Sequence, residues 1–388
     1  MKTRFLTVAF LIIVFSLAVV NLTTDLSSIK PAVKYALGRD VPGVESMKDA
    51  INEVESEYND DFVTKYAFIE VNGAAKSLLG NWESNERIKI GDGYLVQESD
   101  SIDVSSNASS VVALNDWLAS ENTPFLYIAF PNKVETGSDE LRPGRKTHSN
   151  ENVDRLLEGL EAGGVRYYDL RADYGESHDD WQSGFFRTDH HWLPQTAFWA
   201  YTDIAGRLHE DYGYSLDSQS MDIGNYDIIT YEKQFLGSAG RRTGRSFSGL
   251  DDFSVLIPNF DTSISVDSVD KDVHLEGSFE DVMFQKKYLE KDYYNIDTYS
   301  VYNGDYDICI EKNESAANDM TVVVVKDSYT LALQPYYSFM FSEVHLVDLR
   351  YIEGETLADY IDRIQPDLVI MEYSPGQLTE SSLFEFGL

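Results

Sequence analysis

Asp189, His190, His191 and Trp192 form the core of "FFRTDHHWLP", residues 185–194 of a chain that has only seven histidines. In an extended backbone, alternate side chains share a face, so Asp189 would stand beside His191 while His190 points to the other side. A carboxylate next to an imidazole holds the ring in one tautomer and stabilises its cation, which is half of a catalytic triad. The missing half is a nucleophile. "VVVVKDSYT" offers Ser328, placed where an apolar strand runs into a helix, so that its hydroxyl lies in the field of free backbone N–H groups. On spacing alone a helix N-cap is the favoured account of a serine there. What favours chemistry is the combination, because a serine attacks only when a base accepts its proton.

The elements that must position these residues follow from hydrophobic patterning. "PFLYIAF", "TVVVVKDS", "EVHLVDLR" and "PDLVIMEYS" are short, continuously apolar runs. Helical patterns such as "NVDRLLEGLEAG" and "TLADYIDRIQ" stand between such runs. Such alternation predicts a parallel sheet covered on both faces, a three-layer α/β domain. "QTAFWAYTDIAGRLHEDYG" reads as a helix, with Pro194 in its first turn and glycine after its last. Residues 226–313, rich in Tyr, Asp and Ser, read as an irregular β-rich insertion. In such sheets ligands bind beyond the carboxyl ends of the strands, which draws attention to "PNK", "DLR", "KDS" and "EYS".

The acidic residues number 66 against 31 basic ones, a formal net charge of −35 over 388 residues, which excludes nucleic acid as a partner and repels anionic membrane surfaces. Lys2 and Arg4 precede an uncharged run, Phe5 to Val20, the pattern of an export signal. Sixteen helical residues span roughly 24 Å, short of a bilayer core of about 30 Å, so a cleaved signal peptide and an uncleaved anchor (residues 1–22) both stand. The remainder is then extracytoplasmic, secreted or membrane-anchored. Residues 23–61 read as a polar connector, and the domain proper as 62–388. The single cysteine, Cys309, allows no intrachain disulfide and reads as a buried residue of a strand.

"RTDHHWLPQTAFWAY", with "FIEVNGAAKSLLG", "GDGYLV" and "FPNKVE" before it and "KDSYTLALQPYYSFMFSEVHLVDLRY" after it, resembles the DHHW family, related to the SGNH-hydrolase-like domains of alginate O-acetyltransferases. The likeness runs from about residue 62 to the C-terminus. It implies a flavodoxin-like SGNH-hydrolase fold, with Asp189 as carboxylate, His191 as base and Ser328 as nucleophile. It further implies O-acetyl transfer to a surface polysaccharide, with a membrane-bound O-acyltransferase as the donor partner. The usual Gly-Asp-Ser is here Lys326-Asp327-Ser328.

Further candidates divide between site and scaffold. Asn132 is a second oxyanion donor or a strand-end turn residue. Lys133 holds an anionic sugar or is a solvated charge. Gly237, in "LGSAGRRTG", offers a backbone N–H to the site or simply makes a turn, and Tyr329 lines the pocket. Of Trp181, Phe185, Phe186 and Trp192, one is expected to touch substrate, with Trp192 the leading candidate. His190 is expected to be structural, and no cofactor or metal is implied, since "DHH" lacks further convergent ligands. Two rivals to acyl transfer remain: an esterase with the same triad, and a non-catalytic polysaccharide-binding or assembly protein.

Overall fold

The computed structural model describes residues 65–388 except 270 and 305; the export signal and the connector expected from the sequence lie outside the described residues. The chain divides into two compact units, 1–75 and 76–388. Helix α1 covers Lys65–Leu78, and no described helix is long and apolar enough to cross a membrane.

The second unit begins with three short strands, β1 (Glu83–Ser84), β2 (Arg87–Lys89) and β3 (Leu95–Val96), paired antiparallel. Helix α2 (Ser105–Ser120) leads into β4 (Phe125–Ala129), followed by the hairpin β5 (Glu140–Arg142) and β6 (Arg145–Lys146). Next come α3 (Ser149–Ala162), β7 (Tyr167–Asp169), α4 (Leu170–Ser177) and α5 (Pro194–Tyr212). Proline opens α5 and Gly213, at φ 72°, closes it in the left-handed conformation that a side chain resists.

The stretch expected to be an irregular β-rich insertion contains, among the described residues, five strands joined by short helices and turns. Strands β8 (Tyr226–Phe235) and β9 (Asp251–Pro258) pair as a ribbon, with the short helices α6 (Ser238–Thr243) and α7 (Arg245–Ser248) between them. Strands β10 (Ile264–Ser268), β11 (Val273–Gly277) and β12 (Ile308–Lys312) join the central sheet, and helix α8 (Phe279–Met283) and a 3-10 turn at Thr298–Val301 lie between the last two. The chain ends with β13 (Asn318–Lys326), a 3-10 turn from Ser328, α9 (Gln334–Met340), β14 (Phe341–Val347), α10 (Leu357–Ile364) and β15 (Leu368–Tyr373).

The central sheet has eight strands in the order β11-β10-β12-β14-β13-β15-β4-β7. The five from β14 to β7 are parallel, as the apolar runs predicted. The other three are antiparallel, so the sheet is mixed: the insertion extends the parallel core along the β14 edge. Cys309 is buried in β12 as expected. The fold is the three-layer SGNH-hydrolase-like α/β architecture. Alternation along β13 shows why its valines are continuous: Val322 and Val324 pack toward α5 and α9, Val323 and Val325 toward α2, α3 and α10, and all four are fully buried. At roughly 1.5–3 kcal/mol per buried aliphatic side chain, such a strand can stand only at the sheet's centre.

Candidate active site

The loops after β4, β13, β14 and β15 meet at the carboxyl edge of the parallel strands, around a cleft of about 1040 Å³. Its walls include Asn132, Tyr329, Arg350 and Ser374 from these loops, and His190 and Ser238 from the segments flanking α5 and β8.

Ser328 opens the 3-10 turn that follows β13. Lys326 needs no glycine-like conformation: it is the last paired residue of β13, opposite Glu372, and is absent from the positive-φ positions. The turn is held by Asp327, whose Oδ1 accepts from the Tyr329 N–H at 2.8 Å. Its Oδ2 accepts from the Ser374 N–H at 2.9 Å and the Ser374 hydroxyl at 2.6 Å, pinning the end of β13 to the end of β15.

The DHHW segment is not a strand. An isolated bridge between Phe185 and Trp192 closes a tight loop, and within it Asp189 and His191 are brought together by curvature rather than by strand alternation. His191 Nδ1 is hydrogen-bonded to Asp189 Oδ1, which also accepts from the His191 backbone N–H at 3.1 Å. The other ring nitrogen, Nε2, lies 3.2 Å from the Ser328 hydroxyl. Asp189 and His191 are buried, Ser328 half-buried. Burial alone would raise the Asp189 carboxyl. The charges of His191 and His190, with hydrogen bonds from His191 and from the Ser238 N–H, outweigh it and hold that carboxyl well below the usual carboxylate range.

Several sequence expectations are corrected here. His190 does not face away as a structural residue: its side chain is exposed, its ring lies 3.8 Å from that of His191, and its Nδ1 is 3.3 Å from the Ser238 hydroxyl. Lys133 is neither solvated nor aimed at a sugar. It is buried, and its ammonium donates to the carbonyls of Leu95 at 2.8 Å, Arg187 at 3.3 Å and Asp189, fastening the loop that carries the DHHW residues. Gly237 turns its N–H to the Thr188 hydroxyl at 2.9 Å instead of the cleft. The neighbouring Ser238 N–H reaches Asp189 Oδ2 at 2.5 Å. Trp192 is wholly buried against Phe130 and Tyr329, and Trp181, Phe185 and Phe186 are buried too, so none of the four aromatics presents a sugar-binding face.

Tyr329 does line the cleft, with its hydroxyl on the Pro131 carbonyl at 2.7 Å. Asn132 also lines it. One amide N–H donates to Asn150 at 2.9 Å while its oxygen accepts from the Val134 N–H, which leaves the second N–H unspent.

Three residues that sequence reasoning missed complete the site. Tyr299, from the turn before β12, stacks on the His191 ring with centroids 3.9 Å apart and planes 9° from parallel. Ser238 orients Asp189. Asp251, at the start of β9, accepts from both the N–H and the hydroxyl of Thr188, one residue before Asp189. None belongs to a motif; all three lie at least 46 residues from the DHHW loop in the chain.

Ligand atoms of Asp189, His190 and His191 lie within 4.8 Å of one another. Ligands of a tetrahedral zinc at about 2 Å sit roughly 3.3 Å apart. An ion between Asp189 and His191 would therefore have to break their hydrogen bond.

With this geometry in hand, the likenesses are specific. Residues 90–245 match the family described as the SGNH hydrolase-like domain of the acetyltransferase AlgX. That match spans 156 of the 388 residues, from just after β2 to the short helices after β8. Among solved structures it resembles PatB1 of Bacillus cereus with a sulfonyl adduct, at 19% identity and a TM-score of 0.64 over 78% of this chain and 98% of that one. It also resembles a DHHW family protein from Eubacterium siraeum, at 18% identity and a TM-score of 0.60 over 78% and 95% of the two chains. At these identities the structures speak for the fold. No curated protein matches the chain by sequence.

Proposed function

We propose that this chain is an extracytoplasmic O-acyltransferase that moves an acetyl group onto a surface polysaccharide through Ser328, His191 and Asp189. The observation that carries the proposal is the continuous line of contacts from Asp189 through His191 to the Ser328 hydroxyl, 3.2 Å from Nε2.

Ser328 Oγ attacks the carbonyl carbon of a donor ester as its proton passes to His191 Nε2, and the imidazolium then protonates the departing alcohol. Asp189, ionised and held by Ser238, balances the imidazolium charge. The Ser328 N–H at the first position of its turn and the unspent Asn132 N–H are the donors for the oxyanion. A glycan hydroxyl then attacks the acyl-serine, with His191 taking its proton; water in that position gives hydrolysis instead. On this reading the donor is a membrane-bound O-acyltransferase, and the apolar run Phe5–Val20 behind Lys2 and Arg4, a signal peptide or an anchor, supports a position outside the cytoplasmic membrane. Lys326 in place of glycine is the best support for the non-catalytic alternative, and a Lys326 that pairs in β13 without a positive φ weakens that support.

The test is single-turnover mass spectrometry of the full-length chain with p-nitrophenyl acetate, beside Ser328→Ala and His191→Ala. The expected result is one added acetyl group in the parent alone, discharged faster when a polysaccharide is added. Equal background release by all three proteins, with no acetylated peptide at Ser328, would refute it.

A further inference from the structure

One histidine of the tetrad is left unused by the triad. His190 stands on the cleft wall with 57% of its side chain exposed. Its ring lies over one face of the His191 imidazole, centroids 3.8 Å apart and planes tilted by 36°, while Tyr299 covers the other face. His191 is therefore open to a ligand only along its edge, at the Nε2 that meets Ser328. The Nδ1 of His190 is 3.3 Å from the Ser238 hydroxyl, which restrains the ring, and no hydrogen bond reaches its Nε2 from any described residue.

What that nitrogen can hold follows from its charge. Partial desolvation and then the charge of His191, with those of Lys133 and Arg87, hold the His190 ring below the usual histidine range against the pull of Asp189, so it is neutral at pH 7. With Nδ1 turned to the Ser238 hydroxyl, Nε2 donates in one tautomer and accepts in the other. A hydroxyl answers both, because it carries a donor and two acceptor lone pairs. A carboxylate answers only the first, and the Asp189 carboxylate beside the ring repels it. When the acyl-serine is discharged, one acceptor hydroxyl must already stand at His191 Nε2. The two imidazoles are only one stacking distance apart, so a hydroxyl on the adjacent carbon spans them.

We propose that His190 selects the acceptor: its Nε2 bonds the hydroxyl next to the one that attacks, so the subsite takes a vicinal diol. This rests on the acyl-transfer function proposed above and names the feature of the acceptor that is recognised. His190 itself makes and breaks no covalent bond. The attacking hydroxyl passes its proton to His191 Nε2 as its oxygen bonds to the acyl carbon, and Ser328 Oγ leaves with that proton. Water can attack the same carbon but brings no second hydroxyl to His190. The contact therefore favours transfer over hydrolysis.

The test uses the full-length chain acetylated at Ser328 by p-nitrophenyl acetate, with trans-cyclohexane-1,2-diol and trans-cyclohexane-1,4-diol as acceptors, isomers that differ only in hydroxyl spacing. The readout is the ratio of acetylated diol to free acetate, taken on the acyl-enzyme, so a change in acylation rate cancels. The parent is expected to favour the 1,2-isomer roughly three- to tenfold, the worth of one hydrogen bond. His190→Phe keeps a ring over His191 and removes both nitrogens; it is expected to lose the preference, and His190→Gln, whose amide donates and accepts, to keep part of it. Should His190→Phe fail to fold, His190→Ala takes its place. Equal transfer to the two isomers by the parent, or an undiminished preference in His190→Phe, overturns the proposal. Nitrogen-15 spectra of the histidine rings read the same contact without turnover: the 1,2-diol is expected to move the His190 Nε2 resonance, identified by its absence in His190→Phe, and the 1,4-diol to leave it in place. An unmoved resonance overturns the subsite. A protein that shows the shift but never acetylates Ser328 keeps the subsite and loses the acyl-transfer function; one that transfers acetyl to both diols alike does the reverse.

Discussion

The ammonium of Lys133 is buried beneath the carbonyl oxygen of Asp189 and donates to it, so the first residue of the DHHW tetrad hangs from a lysine 56 positions earlier in the chain. Burial pushes this lysine down to about 8, with Asp189 and Asp251 opposing the shift. Lys133→Met removes the charge but strands the carbonyls of Leu95, Arg187 and Asp189. Each unsatisfied buried acceptor costs about 1–3 kcal/mol. The expected outcome is a fall in thermal midpoint of several degrees together with loss of Ser328 acetylation, since the loop that carries His191 is released. Unfolding of the variant followed by circular dichroism, beside the acetylation assay, checks both.

Asp189→Asn separates position from charge. The Asn oxygen can still face the His191 ring, but it cannot balance an imidazolium, and its amide can impose the wrong tautomer. Loss of activity is expected to be on the order of 10⁴-fold, with a lower melting temperature as well, because the Asn NH2 would face the Ser238 N–H that the carboxylate accepts from. Parent-like turnover in p-nitrophenyl acetate hydrolysis would remove Asp189 from the mechanism.

Gly237 is required by close approach. A Cβ there would sit 2.2 Å from the Asp189 Cβ and 2.7 Å from its Cα. Gly237→Ala therefore displaces Asp189 or the Ser238 N–H that holds it, at a cost of about 1–3 kcal/mol, and activity is expected to fall more than stability. Gly206→Ala is the control: nothing lies within 4 Å of a Cβ in mid-α5, and a gain of about 0.5–1 kcal/mol is expected. Urea titrations of both variants, with initial rates, give the comparison.

The parallel strands were legible because continuous apolar runs such as Val322–Val325 have no stable place except a sheet covered on both faces. Asp189, His191 and Ser328 were legible because their chemistry restricts which residue types stand together. The rest of the site depends on distances that local pattern does not encode. A lysine in "PNK" looks the same whether it ends in solvent or under three carbonyls; only the return of the DHHW loop past the end of β4 buries Lys133. Trp192 looks like a sugar platform until Phe130 and Tyr329 are found on either side of it. Tyr299 and Asp251 reach the site from elements whose own sequences carry no signal of it, and Ser238 supplies the backbone N–H that "LGSAGRRTG" suggested for Gly237, one residue away. The insertion's place in the sheet was not legible, because β10 reaches the parallel core only through β12, which alone of the inserted strands pairs with β14.

The last prediction concerns Glu372, buried in β15 on the face of the sheet that carries α9 and opposite Lys326 across the sheet. Desolvation raises its pKa to about 8, and Asp327 adds to the rise. The Tyr337 hydroxyl, 2.8 Å from Oε2, together with Thr330 and Lys326, pulls the other way without overcoming burial. In the unfolded chain the carboxyl titrates near its ordinary value of 4.5. Between that value and about 8 the native state binds more protons than the unfolded state, so stability falls as pH rises through this window and levels off above it. Asp189 has the opposite sign, but its lowered pKa confines its effect to the acid side, below and around the ordinary carboxylate value. Glu311, buried and also raised, adds to the Glu372 trend and persists in the variant, so the difference between parent and Glu372→Gln isolates one group. The amide keeps an acceptor for Tyr337 and carries no charge to desolvate. Urea unfolding at pH 5 and pH 8.5 is expected to show the parent losing a few kcal/mol more than Glu372→Gln over that interval. Equal losses in the two proteins would mean that the native carboxyl is already ionised at pH 5, and that the floor beneath the Ser328 turn carries a negative charge.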